Sequence, residues 1–246
     1  MKKKYKIALF IISFIFFLLI LFFFLYLNSL NSLKSFRVAH AGGQYNGLKY
    51  ANSISAINFN SKYTKYIELD MQLTKDNRLV CIHDPIISEK NFSEIKKDFP
   101  DKDFCYDVSL KNFLEQNPEI IIITDFKTDN LKGLNFIKNY FDKFSKRFIP
   151  QIYNEHQYLP VKNLGYDEVI FTLYRVSYSN EMIVQIIKDF DIFALTMDPA
   201  RLRSGIADKI RNKNFLIYVH TVNSYFRFLQ YKIFFGADEI YTDNLF

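Results

Sequence analysis

The stretch YIELDMQLTKDNRLVCIHD, residues 66–84, decides the fold. It begins as a strand carrying Glu68 and Asp70, turns through TKDNR, and runs apolar again to His83 and Asp84. A segment that only built a core would exclude such groups, because a buried charge is costly unless it is paired or binds a metal. Side chains two apart on a strand share a side, so Glu68 and Asp70 converge. Two like charges held that close stay ionised only beside a cation.

Short apolar or β-branched runs of the same kind recur along the chain: FRVAHA (36–41), EIIIITDF (119–126), FIPQIY (148–153), EVIFTLY (168–174), IFALTM (192–197), FLIYVHT (215–221) and DEIYTD (238–243). With YIELDM they make eight, most of them followed by a stretch that reads as helix. Strands alternating with helices imply right-handed parallel β-α-β units, an α/β class. Eight units fit a (β/α)8 TIM barrel better than a doubly wound sheet, and no G-x-G-x-x-G follows the first strand. The long gap after YIELDM holds the strand-like LVCIH and a charged stretch, about 85–108, which reads as an insertion above the barrel mouth.

Upstream, Ala8 to Leu27 is twenty residues without a charge, preceded by Lys2, Lys3, Lys4 and Lys6. At about 1.5 Å per residue it spans roughly 30 Å, a bilayer core. The run is longer than the apolar region of a cleaved signal and lacks an A-x-A site, so residues 1–28 are expected to be a signal anchor. Positive flanks stay inside, which makes this a single-pass protein of the inner or plasma membrane. Its N-terminus is then cytoplasmic and its barrel, 36–246 after a linker at 29–35, lies on the periplasmic or extracellular side. Without the four leader lysines the balance is 28 basic against 26 acidic residues, or +2, which makes no case for nucleic acid. No obligate protein partner is indicated. Cys81 and Cys105 either pair in an oxidising compartment or stand as two small unpaired residues.

Barrel chemistry gathers at the C-terminal ends of strands. His40, Glu68, Asp70, Asp125, Lys127, Tyr174, Arg175, His220 and Asn223 all fall there, with Gln151, Tyr153, Asp198, Thr242 and Asp243 beside them. Three carboxylates without a cysteine suit a hard divalent cation, Ca2+ or Mg2+. The bland alternative is an ion-pair network in which Glu68 and Asp70 meet Lys127 and Arg175. Two histidines, His40 before Ala41-Gly42-Gly43 and His83 returning after the TKDNR turn, weigh towards acid-base chemistry: one accepts a proton from a nucleophile and the other donates to a leaving oxygen.

Taken together, VAHAGG, ELD, TKDNRLVCIHD, TDFK, YVHTVN and GADEIYTDN resemble the glycerophosphodiester phosphodiesterase family of phosphatidylinositol-phosphodiesterase-like TIM barrels. HAGG, TDFK and RFIPQIY look like a bacterial branch of it. The resemblance implies that Glu68, Asp70 and Asp125 bind the divalent cation, that His40 and His83 are the acid-base pair, and that Lys127 contacts phosphate. Tyr174, Arg175, His220 and Asn223, at strand ends on the same side, complete the expected substrate-binding set. Departures from the family pattern include Ala41 for a frequent arginine, Tyr50-Ala51-Asn52-Ser53 for P-E-N-T, Asp125 for glutamate and His220 for tryptophan. They leave the substrate open: a glycerophosphodiester or related phospholipid headgroup, a lysophospholipid or phospholipid, or a phosphorylated headgroup bound without catalysis.

Overall fold

The computed structural model describes residues 10–22, 37–210 and 214–245. The chain divides into two units, residues 1–36 and 37–246. In the first, residues 10–22 are helical and exposed. Among the described residues no helix is long and apolar enough to cross a membrane. The expected span at 8–27 runs at both ends outside the described residues, as do the leader lysines and the linker.

The second unit is a closed barrel. Its parallel strands are β1 (Val38–Ala39), β2 (Tyr66–Leu73), β4 (Ile121–Phe126), β5 (Phe148–Ile152), β6 (Ile170–Thr172), β7 (Ala194–Met197), β8 (Leu216–Val219) and β9 (Glu239–Thr242). Each pairs with its neighbour in chain order, and β1 pairs with both β2 and β9, which closes the ring. All eight expected strands are present. The ninth, β3 (Leu79–Cys81), is a hairpin partner running antiparallel to the end of β2. Its turn is built by Thr74, whose amide donates to the Arg78 carbonyl at 2.9 Å, and by Asn77 in the left-handed conformation at φ 57°.

Helices pack outside the strands, so β2 is buried along its whole length on both faces. Inside, one side chain from each barrel strand forms a common apolar ring: Val38, Tyr66, Ile123, Ile149, Ile170, Ala194, Tyr218 and Tyr241. The period of two then has a direct consequence. Two residues beyond the ring, towards the strands' C-terminal ends, stand His40, Glu68, Asp125, Gln151, Thr172, Thr196, His220 and Asp243. The apolar layer is thus the floor of a polar mouth.

Above the mouth the insertion has its own small core, Val80, Ile82, Ile87, Phe92, Ile95 and Phe104, around the helix Phe92–Asp98. Cys81 and Cys105 are disulfide-bonded across 24 positions, so the paired alternative holds. Asp107, fully buried, receives Arg78 through both carboxylate oxygens at 2.5 and 2.6 Å and ties the hairpin to the next barrel helix, Asp107–Gln116.

Candidate active site

The HAGG turn after β1 is shaped by close approach. Gly43 has φ 80°, and a Cβ there would lie 2.5 Å from Asn60 Nδ2. That amide donates to the carbonyls of Gly42 at 2.9 Å and of Ala56 at 3.0 Å, fastening the turn to the first barrel helix, Ile54–Asn60. The turn's Ala41 N–H then points to Glu68 Oε2 at 2.7 Å. Asn52, also left-handed at φ 44°, grips Asp70 twice: its amide donates to Oδ2 at 2.7 Å and its oxygen accepts the Asp70 N–H at 3.1 Å.

Glu68, Asp70 and Asp125 each offer a carboxylate oxygen within 4.8 Å of the others, and all three are buried. Lys127 bridges two of them, 2.6 Å from Asp70 Oδ1 and 2.8 Å from Asp125 Oδ2. Burial opposes its charge, but Asp125, Asp70 and Glu68 outweigh that and hold the ammonium protonated well above its ordinary value. Tyr153 and Tyr174 donate their hydroxyls to Asp125. Glu68 fares differently: burial, then repulsion by Asp70, pushes it up to about 8, and its Oε1 is a buried acceptor with no hydrogen-bond donor. These donors leave Glu68 Oε1 unsatisfied, and a hard divalent cation would fit beside it, where oxygens of Asp70 and Asp125 converge.

His40 Nδ1 lies 2.8 Å from Asp243 Oδ1. Burial works against its protonation, yet the bond to Asp243 and the charges of Glu68, Asp243 and Asp70 prevail, and the imidazole is held above its ordinary value. Asp243 is itself fixed: Asn223 Nδ2 donates to its Oδ2 at 2.6 Å, and its own N–H donates to Asn223 Oδ1 at 2.8 Å. Asn223, expected to touch substrate, therefore has its amide engaged with the histidine's partner.

His83 stands further out. Gln72, fully buried, donates to the carbonyls of Ile82, His83 and Pro85 and accepts from Ile87, so this one side chain holds the loop that carries it. His83 Nδ1 pairs with Asp84. The ring of Tyr50 makes edge contacts with His40 at 4.8 Å and with His83 at 5.8 Å, between centroids, so it links the two.

On the opposite rim Tyr174 packs edge-on against His220 at 5.2 Å, and Arg175 lies over Tyr153 at 4.2 Å and Tyr174 at 5.3 Å. Burial lowers His220 to about 4, with the His40 charge adding to the effect, so this imidazole is neutral. Every residue predicted at the site thus lies around one mouth. Asp243, Asn52, Gln72 and Tyr50 were not assigned from sequence. For Asp243 the available signal was its register, two residues past Tyr241 of the apolar ring. Asn52 had only its match to the family's P-E-N-T.

A family model described as the glycerophosphoryl diester phosphodiesterase family matches residues 31–155, just over half of the 246. No curated protein matches. Among solved structures, a glycerophosphodiester phosphodiesterase from Parabacteroides distasonis superposes with a TM-score of 0.68 at 19% identity, over 85% of this chain and 93% of its own. One from Thermotoga maritima gives 0.68 at 18%, over 87% and 95%. An Oleispira antarctica phosphodiesterase, solved in complex with the product sn-glycerol-3-phosphate, gives 0.67 at 13%, over 87% and 95%. These likenesses bear on the fold.

Proposed function

The chain belongs to the glycerophosphoryl diester phosphodiesterase family, and so to the phosphoric diester hydrolases; on that premise we propose that it cleaves glycerophosphodiesters or related phospholipid headgroups with a divalent cation, Ca2+ or Mg2+, held by Glu68, Asp70 and Asp125. The observation that carries this reading is the convergence of those carboxylates within 4.8 Å, with Glu68 Oε1 undonated, beside a carboxylate-held imidazole. When bound, the cation supplies positive charge that stabilises the transition state. Lys127 supplies a second positive charge for the phosphoryl group. With Nδ1–H given to Asp243, His40 keeps Nε2 as an acceptor and takes the proton of the attacking hydroxyl, whether that of water or of the substrate's own neighbouring alcohol. His83, across Tyr50, donates to the departing oxygen.

The product held by the Oleispira relative supports a glycerol phosphate on one side of the bond. The motifs HAGG, TDFK and RFIPQIY support the bacterial branch. The uncharged run at 8–27 and the lysines before it support an anchor in the inner or plasma membrane, with the barrel outside, and the Cys81–Cys105 disulfide supports an oxidising compartment. A lysophospholipid is the second reading, favoured by that run together with the exposed Leu48 and Tyr50 of the rim loop.

The test is to incubate the full chain in detergent with glycerophosphoglycerol, glycerophosphocholine and a lysophospholipid, adding Ca2+, Mg2+ or EDTA. Metal-dependent release of sn-glycerol 3-phosphate is expected, and its loss in His40→Ala and His83→Ala. No metal-dependent release from any diester refutes the reading; activity retained in both variants refutes the histidine roles.

A further inference from the structure

Resting on the proposed phosphodiesterase reading, we infer that the Arg175 platform selects the leaving alcohol: it favours one bearing an anionic group, such as a second phosphate, over one bearing a quaternary ammonium. A trimethylammonium group is recognised by open aromatic faces, and this mouth has the material for such a cage in Tyr153 and Tyr174. Here one face of each ring is covered, and the rest of Tyr153 is buried. The guanidinium of Arg175 lies 4.2 Å from the Tyr153 centroid and 5.3 Å from that of Tyr174, so the protein's own cation fills the place a choline would need.

The guanidinium is held without being neutralised. Among the described residues its nearest carboxylate oxygen is Asp125 Oδ1 at 3.9 Å, beyond hydrogen-bond reach. That carboxylate is also engaged by Lys127, Tyr153 and Tyr174. The Arg175 side chain remains 39% exposed and its hydrogen-bond partner at the rings is the neutral Tyr174, so donors of its planar fork stay open to solvent. Its loop is braced from behind: Arg201 Nη1 donates to the Tyr178 carbonyl at 2.7 Å and Nη2 to that of Val176 at 3.3 Å, while Tyr178 bonds Glu155 at 2.8 Å. A fixed guanidinium beside a dianionic or phosphate-bearing alcohol makes two parallel hydrogen bonds; beside trimethylammonium it makes none and repels it.

The experiment measures kcat/KM of the full chain with three diesters, glycerophosphocholine, glycerophosphoglycerol and bis(glycerophospho)glycerol, which carries a further phosphate. The wild type should prefer the last over the first by about tenfold or more, the scale of one charge-assisted contact. Arg175→Gln should bring that ratio close to one, Arg175→Ala should lower it further by exposing both rings, and Arg175→Lys should keep part of it. A wild type that cleaves glycerophosphocholine as well as the phosphate-bearing diester overturns the inference, as does an equal loss on all three substrates in Arg175→Gln. Calorimetric binding of glycerol bisphosphate and phosphocholine to the full chain separates this from the proposed reaction. If no diester is cleaved but the bisphosphate binds tighter, and does so only with Arg175, the selectivity stands while the reaction fails; equal affinities overturn the selectivity.

Discussion

Replacing Asp243 by asparagine changes no side-chain volume, yet the hydrogen bonds around it predict a specific failure. Asn223 Oδ1 accepts the Asp243 N–H at 2.8 Å and the Thr242 hydroxyl at 3.0 Å, which fixes Nδ2 as the end that donates to residue 243. An asparagine there must turn its oxygen to that donor. Its own NH2 then faces His40 Nδ1, which has to become an acceptor, and the imidazole proton moves to Nε2, where it blocks proton uptake. A hydrogen bond to a charged group is worth about 1.5–3 kcal/mol, so kcat should fall by one to two powers of ten from this bond alone.

The pH dependence carries the sign. In the wild type the imidazole is held above its ordinary value because Asp243, Glu68 and Asp70 outweigh its burial. A base active when deprotonated gives a rate that rises with pH through that raised value. Asp243→Asn removes the strongest raising partner, so the acid limb should move to lower pH. The assay is kcat/KM against pH at one saturating cation concentration for both proteins, where Asp243 is the raising partner that differs, paired with 15N-detected titration of His40 in the metal-free protein, which reads the tautomer directly. An acid limb that stays put, together with a proton still on Nδ1, would falsify this assignment.

Other outcomes follow from single contacts. Lys127→Met leaves Asp70 and Asp125 buried without their lysine, so the metal-free protein should lose about 3–5 kcal/mol by denaturant unfolding, and added Ca2+ or Mg2+ should raise its Tm more than it raises that of the wild type. Gly133→Ala puts a Cβ 2.2 Å from the buried Phe126 ring, next to Asp125; a loss of about 1–3 kcal/mol and weaker metal activation are expected, and full wild-type stability would rule out the clash. Removing the disulfide in Cys81→Ser/Cys105→Ser opens a link spanning 24 positions and should cost about 3 kcal/mol. Reducing agent should produce the same shift in the wild type and none in the variant.

Much of the barrel could be read because buried parallel strands are apolar runs, and ionisable groups inside such runs stand out. His40, Glu68, Asp70, Asp125 and Lys127 were visible for that reason. The supporting residues were not, because their chemistry is ordinary for their local positions. Asp198 and Asp243 each follow a strand; the first caps the helix Pro199–Arg203 through the amides of Ala200 and Arg201, and the second holds His40. Only register tells them apart: Asp243 stands two residues past its strand's ring residue Tyr241, and Asp198 four past Ala194. Asn52 needs a left-handed backbone to reach Asp70, and Gln72 looks like one more polar residue before a turn until the loop it fastens is in place. Two cysteines alone did not decide between paired and free; an antiparallel bridge between Val80 and Tyr106 brings Cys81 beside Cys105, whose carbonyl accepts the Cys81 amide at 2.7 Å.

The His40–Asp243 pair also shows why the site depends on closure of the ring. The two residues are 203 positions apart and meet only because β1 lies beside β9, with Val38 opposite Tyr241 and Ala39 opposite Thr242. Each stands one residue past that pairing, so a slip of one position would send one of the two outward. The same ladder carries Glu68, because Val38 also faces Tyr66 across β2. Acid-base chemistry and cation binding therefore share one register, set by the shortest strand in the barrel. The two residues of β1 contribute little of the core, but they align the mouth's first imidazole with a carboxylate on each side.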